Sequence, residues 1–193
     1  MQFNDEIKYV FSLIEDCCAA IYLGGSRVDP VIENPHDYDY ICFAKHLKLA
    51  TLIDKLNKLG FKQQDGTEAT KPKTLLDMTQ IRYYPYTQIN WFSYLDHYMI
   101  KIIGDEVCTN LDIINKYRKD YLLELKDKAH KLLNIWTNAS KRWYHILRGV
   151  YILLNNSYEV TEEQKREINI LHDLTPGWEV IRDKTIQLLE TLD

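Results

Sequence analysis

The stretch Ile21-Tyr22-Leu23-Gly24-Gly25-Ser26-Arg27, followed after a spacer by Asp37-Tyr38-Asp39-Tyr40, constrains this chain more than any other feature. An apolar run that stops at Gly-Gly-Ser reads as a β-strand delivering its backbone into a tight turn. The second run, Tyr38-Asp39-Tyr40-Ile41-Cys42-Phe43, reads as another strand. Side chains alternate along a strand, so Asp37 and Asp39 share one face while Tyr38 and Tyr40 take the other. Gly24 and Gly25 lack Cβ, which lets a triphosphate approach the backbone and lets the chain adopt unusual dihedrals. Ser26 offers a hydroxyl and a backbone N–H where a short helix could begin, a setting suited to anions. Asp37 and Asp39 supply the hard anionic oxygens that a divalent cation such as Mg²⁺ or Mn²⁺ prefers, leaving coordination positions for water and phosphate. Carboxylates, metal and phosphates together neutralise charge during in-line displacement at phosphorus.

The rest of the chain supplies a setting for this pair. Ile7, Val10, Phe11 and Ile14 space an amphipathic helix over residues 4–18, capped by Asn4. Strands are expected at 20–23 and 38–44. Leu49, Leu52, Ile53, Leu56 and Leu59 mark a helix over 47–59 that Gly60 ends. Residues 61–70 read as a polar strand or loop turning at Asp65-Gly66. Residues 78–84 and 87–92, rich in β-formers, read as a hairpin across Pro85-Tyr86. Beyond Ser93 the spacing predicts helices throughout: 94–103 closed by Gly104, 111–136, a third from near Ser140 to Leu154, a fourth behind the capping box Thr161-Glu162-Glu163-Gln164, and a last over 178–192. The expected fold is α+β, a small mixed sheet with helices on one side followed by a C-terminal helical bundle. A division into residues 1–104 and 105–193 follows from the turn near Gly104.

In the helical half, Lys141, His145 and Arg148 stand at i, i+4 and i+7, one face of a helix whose other face is Trp143, Ile146, Leu147 and Val150. Facing the Gly-Ser turn, such a stripe would hold triphosphate oxygens or leaving pyrophosphate. The bland alternative is a solvated basic face. Arg142 lies off the stripe.

Gly24-Gly25-Ser26-Arg27 with Asp37-Tyr38-Asp39 resembles the signature of the DNA polymerase β-like nucleotidyltransferase superfamily: apolar strand, Gly-Ser, a spacer of about ten residues, then Asp-x-Asp in a second strand. Within it the chain is most similar to small bacterial and phage members found beside RNA ligases, through residues 25–39, residues 89–104 and Lys141-x-x-x-His145-x-x-Arg148. The resemblance implies a nucleotidyltransferase core and a nucleoside triphosphate donor, ATP among them, bound by Gly24, Gly25, Ser26 and Arg27. It also supports phosphate contacts for Lys141, His145 and Arg148. Members of the superfamily usually carry a third carboxylate, written apolar-Asp-apolar, on a later strand. In Gln88-Ile89-Asn90-Trp91-Phe92 the matching position is Asn90, which completes the catalytic set Asp37, Asp39, Asn90. An amide oxygen can ligate a metal, but it brings no charge and is no base at neutral pH. Asp77 and Asp96 are the other nearby carboxylates, and Asp96 reads as part of the capping box Ser93-Tyr94-Leu95-Asp96. The spacer departs too: Asp29-Pro30 and Asn34-Pro35-His36 replace the usual glycine and serine, and the prolines stiffen it.

Three functions are in contention: transfer of a nucleoside monophosphate to an acceptor hydroxyl with release of pyrophosphate, a catalytically degenerate fold kept as a nucleotide-binding or protein-interaction module, and antibiotic nucleotidylation. The acceptor is left open between an RNA end, a small molecule and a protein side chain. A net charge of −4 speaks against a large sequence-independent nucleic-acid surface. No apolar run approaches the roughly 20 residues of a membrane span, so no membrane partner is expected. With no secretory leader read at the start, the expected compartment is the cytoplasm. Cys17, Cys18, Cys42 and Cys108 have neither metal-ligand nor disulfide-framework spacing and read as reduced, mostly buried thiols.

Overall fold

The computed structural model describes residues 5–35, 38–45, 47–65, 68–70, 79–85, 99–104, 115–134 and 142–192. The fold is α+β. Helix α1 (Asp5–Ile14) passes through one 3-10 turn, Glu15–Cys17, into strand β1 (Cys18–Gly24). Strand β2 (Tyr38–Ala44), helix α2 (Leu49–Lys58) and strands β3 (Lys62–Asp65), β4 (Glu68–Thr70), β5 (Thr79–Pro85) and β6 (Ile100–Gly104) follow. Helices α3 (Arg118–Leu133), α4 (Trp143–Asn155), α5 (Glu162–Asp173) and α6 (Trp178–Thr191) complete the described chain.

The strands form one mixed sheet in the order β3-β4-β5-β2-β1-β6. β2 and β5 run parallel; the other pairs are antiparallel. Opposed residues of an antiparallel pair share a face. Leu23 with Tyr40 and Ile21 with Cys42 therefore lie on one side, and Gly24 with Asp39, Tyr22 with Ile41 and Ala20 with Phe43 on the other. The first side is covered by α1, whose Phe11 meets Tyr40 edge to face at 5.0 Å. On the Asp39 side, Tyr22 and Phe43 pack edge to face at 5.9 Å.

Lys55 of α2 ties the sheet's helices together, donating to the Leu13 carbonyl at 2.7 Å and pairing with Asp16 at 2.6 Å. That pair holds the Asp16 carboxyl below its usual range and raises Lys55. Helix α2 ends as its glycine predicts: Gly60 sits at φ +87°, its N–H bonds the Asn57 carbonyl, and the Phe61 N–H bonds Leu56. This is the double closure of a Schellman motif.

Two expectations are corrected. Residues 100–103, expected to end a helix, form strand β6 against β1, with Ile103 opposite Ile21 and Ile100 opposite Leu23. Gly104 is not a helix cap. It stands at φ +86° because a side chain there would drive into the Ala19 carbonyl of the adjacent strand. Within residues 61–70, read as a strand or loop, β3 and β4 pair antiparallel, and Gly66 of the expected turn lies outside the described residues. Residues 87–92, the expected hairpin partner of 78–84, lie outside the described residues, and β5 has β2 and β4 as its neighbours.

The described residues fall into two compact units. One lies within Met1–Asp29, Pro35–Ile89 and Met99–Val107, the other within Pro30–Asn34, Asn90–Tyr98 and Cys108–Asp193. The first is built on the sheet. The second is helical, with α4 touching α3, α5 and α6. Every residue from Ile146 to Leu153 is buried, so α4 is a core helix rather than a two-faced one. Gly149 permits its close approach to α3, since a Cβ there would meet the Tyr121 hydroxyl and the Leu125 methyls. Among the described residues no helix is long and apolar enough to cross a membrane.

Candidate functional site

Strand β1 ends at Gly24, and the backbone then reverses through Gly25 at φ +71°. The N–H groups of Val28 and Asp29 both donate to the Gly25 carbonyl, at 3.3 and 3.2 Å. The helix expected to begin at Ser26 is thus a single turn. Ser26, Val28 and Asp29 are buried, and Arg27 is half-buried.

The register of β1 with β2 carries Asp39 to this turn, since Asp39 is the partner of Gly24. The carboxylate then leans over the next residue. A Cβ built on Gly25 would overlap Asp39 Oδ2, with Asp39 Cγ 3.1 Å away. The carboxylate occupies the room that any other residue at position 25 would need, and glycine is required twice over, by φ and by this neighbour. Gly24 has a different role from the one its sequence setting suggests. Its missing Cβ faces Ile41 Cδ1 and Met99 Cγ, both at 3.2 Å, so the space is filled by protein side chains.

Asp37, Asn90, Lys141 and the alternatives Asp77 and Asp96 lie outside the described residues. On β5, the strand beside β2, the residue in register with Asp39 is Gln80. Among the described residues no group of three or more His, Cys, Asp and Glu is placed to hold a metal ion. Asp39, seated over Gly25, is suited by its chemistry to be one ligand of Mg²⁺ or Mn²⁺.

The proposed phosphate stripe changes character. Arg148 is 1% exposed within core helix α4, so a solvated basic face is not its setting. A guanidinium held this deep is costly without partners, and Arg148 has interactions inside the fold. His145 is half-buried and stacks against Tyr144, ring centroids 3.9 Å apart. Arg142 is exposed, as its place off the stripe predicts. His145 and Arg148 both belong to the helical unit.

The thiols around the strands are inert. Cys17, Cys18 and Cys42 are free and buried. Burial and the neighbouring Asp16 carboxylate push the Cys17 thiol up, and a hydrogen bond with Cys18 together with burial pushes Cys42 further.

One residue that grips the spacer has no local sequence signal. Asn169 of α5 bonds the backbone of residues 31 and 33, in the spacer that separates Ser26 from Asp37. Its partners lie more than 130 positions away in the chain.

A scan against protein-family models matches none, and a search of curated proteins finds no relative of this chain.

Proposed function

We propose that the chain is a nucleotidyltransferase-type protein that binds a nucleoside triphosphate at the Gly24-Gly25-Ser26 turn, with a divalent cation held by Asp37 and Asp39. One observation carries the reading: the Asp39 carboxylate sits directly over the Gly25 backbone at the mouth of a strand-to-turn junction. A carboxylate brought against a glycine turn offers one anionic group for a cation, beside the hydroxyl and backbone N–H that Ser26 offers to phosphate oxygens. When bound, Mg²⁺ would supply charge neutralisation for displacement at phosphorus. The protein's own residues orient the donor. Gly25 admits the Asp39 carboxylate to the turn, Ser26 offers donors beside it, and Asp37 and Asp39 set the position of the cation. In the transfer an acceptor hydroxyl oxygen bonds to the α-phosphorus, the bond to pyrophosphate breaks, and the hydroxyl proton leaves to solvent or to a base outside this set. Asn90 cannot be that base. The acceptor class stays open between an RNA end, a small molecule such as a cationic antibiotic, and a protein side chain.

A second reading has its own support. Asn90 stands where a third carboxylate is usual, and Gln80, also uncharged, is the register neighbour of Asp39. Both favour a module that binds nucleotide without turnover. Thermal unfolding with each of the four ribonucleoside triphosphates, with and without Mg²⁺, tests what the two readings share. A ligand at 100 times its Kd adds about 2.7 kcal/mol. A Mg²⁺-dependent rise that Asp39→Ala removes supports the donor site; no rise with any of the four overturns it. Asn90→Asp then separates the two readings, since a large gain of transfer would mark a lost catalytic charge.

A further inference from the structure

The spacer between the turn and the second strand is held by the helical unit. Residues 30–34 leave the sheet unit and belong to the helical one. Val31 and Ile32 are buried in the helical core, at 5% and 8% exposure. The backbone between them is gripped by one side chain. The Asn169 carbonyl oxygen accepts the Glu33 N–H at 3.0 Å, while its amide nitrogen donates to the Val31 carbonyl at 2.8 Å. That nitrogen also donates to the Lys165 carbonyl within α5 at 2.9 Å. Asn169 is 9% exposed. Next to it, the Asn34 amide donates to Asp173 at 2.7 Å, and the other Asp173 oxygen meets His172 Nδ1 at 2.6 Å. A backbone N–H and C=O two residues apart need one acceptor and one donor at a fixed separation, which a carboxamide supplies and neither a carboxylate nor an apolar side chain does.

We propose that Asn169 is a positioning residue for the nucleotide site: by fixing the chain at Val31 and Glu33 it holds the segment into which the Gly25 turn runs. The inference rests on the site proposed above and adds how that site is held. Asp29, whose N–H closes the turn on Gly25, directly precedes Pro30, so the anchor begins where the turn ends. Proline at 30 and 35 stiffens both ends of the clasped segment.

Asn169→Asp is the sharpest variant, since it keeps the shape and turns the donor facing Val31 into an acceptor. Thr161→Ala is the control: it removes the cap of the same helix without touching the spacer. Asn34→Ala, at an exposed position, is the milder second variant. Two readouts are taken on each full-length protein: amide hydrogen exchange at Glu33, Val28 and Asp29, and affinity for each of the four ribonucleoside triphosphates with Mg²⁺. The expected result is faster exchange at Glu33 that spreads to Val28 and Asp29 in Asn169→Asp. Nucleotide affinity is expected to fall at least about tenfold, as misplacement of a binding group does. Asn34→Ala shifts both in the same direction by less, and Thr161→Ala shifts neither despite its lower melting temperature. Exchange confined to Glu33 with affinity unchanged overturns the inference, as does an equal effect in Thr161→Ala. If the wild type binds no nucleotide, the proposed function fails, and the spread of exchange to Val28 and Asp29 alone decides whether Asn169 sets the turn.

Discussion

Gly25 and Asp39 constrain each other, and the constraint can be tested at single residues. An alanine at 25 would be forced into the left-handed region and would displace the Asp39 carboxylate. Its stability cost is expected near 2 kcal/mol, in the range for such strain, with Mg²⁺-dependent nucleotide stabilisation lost. Alanine at 24 meets the Ile41 Cδ1 methyl and Met99 Cγ, both at 3.2 Å and on flexible side chains that can shift, so about 1 kcal/mol is expected with nucleotide binding retained. Urea unfolding and nucleotide titration of the two variants check the contrast, and equal behaviour would refute it. A second residue-scale test lies in the helical unit. Buried Tyr151 donates to Glu167, whose other oxygen takes Lys184 at 2.6 Å. Burial first, and then the Glu167 carboxylate, hold the Tyr151 hydroxyl far above its ordinary pKa. The folded state therefore keeps this proton where the unfolded chain loses it. The associated stability is complete below about pH 10, and it drains as pH rises above that value. Tyr151→Phe is expected to cost about 2 kcal/mol at neutral pH and to flatten the alkaline fall. A wild-type and variant profile of the same slope between pH 9 and 11 would contradict this. The tight turn at Gly25 and the strand that carries Asp39 were legible in sequence because both are local, whereas the burial of Arg148 was not, because three other helices decide it.

At the scale of elements, ends written in local chemistry were readable and partners were not. The Thr161–Gln164 capping box forms with both reciprocal bonds, because its groups are three residues apart. Gly60 closes α2 for the same kind of reason. Residues 100–103 misled because a short run of isoleucines fits either period, and the deciding fact is the edge of β1, some 80 residues earlier in the chain. The parallel pairing of β5 with β2 was equally invisible, since no local turn links them. One helix end departs from local preference. Helix α5 stops at Leu174, held at φ +55°, where glycine is usual. Leu174 is 42% exposed, so little burial is forfeited on removing its side chain. Relief of left-handed strain, worth about 1–2 kcal/mol, exceeds the extra entropy cost of glycine, about 0.5–1 kcal/mol. Leu174→Gly is therefore expected to stabilise the protein by about 0.5 kcal/mol, read as a small rise in the urea midpoint at unchanged slope. A lower midpoint would mean that the leucine side chain contributes more than its backbone costs.

For the whole molecule, a division at residue 104 was what the sequence suggested, from the turn near Gly104. The clasped spacer carries no such signal: Val31 and Ile32 look like loop residues between two prolines, and their burial depends on helices more than 85 residues further on. The chain therefore passes from the sheet unit into the helical unit and back before β2 begins. Cutting it at 104 leaves residues 105–193 without two core side chains. Full burial of such a side chain is worth about 1.5–3 kcal/mol, and a cavity term is added where the bundle fails to close over the gap. The helical fragment made alone is expected to be less stable than the same helices in the intact chain by about 3 kcal/mol. Slow amides of α4 are the probe, because that helix touches all three of its neighbours in the bundle and its protection reports the opening of the unit. Loss of roughly two decades of protection in the fragment, with the helical content of the circular dichroism spectrum retained, would match this account. Equal protection in fragment and intact chain would mean that the bundle closes without the spacer, that Val31 and Ile32 are passengers on its surface, and that the helical unit is bounded as the turn near Gly104 suggests.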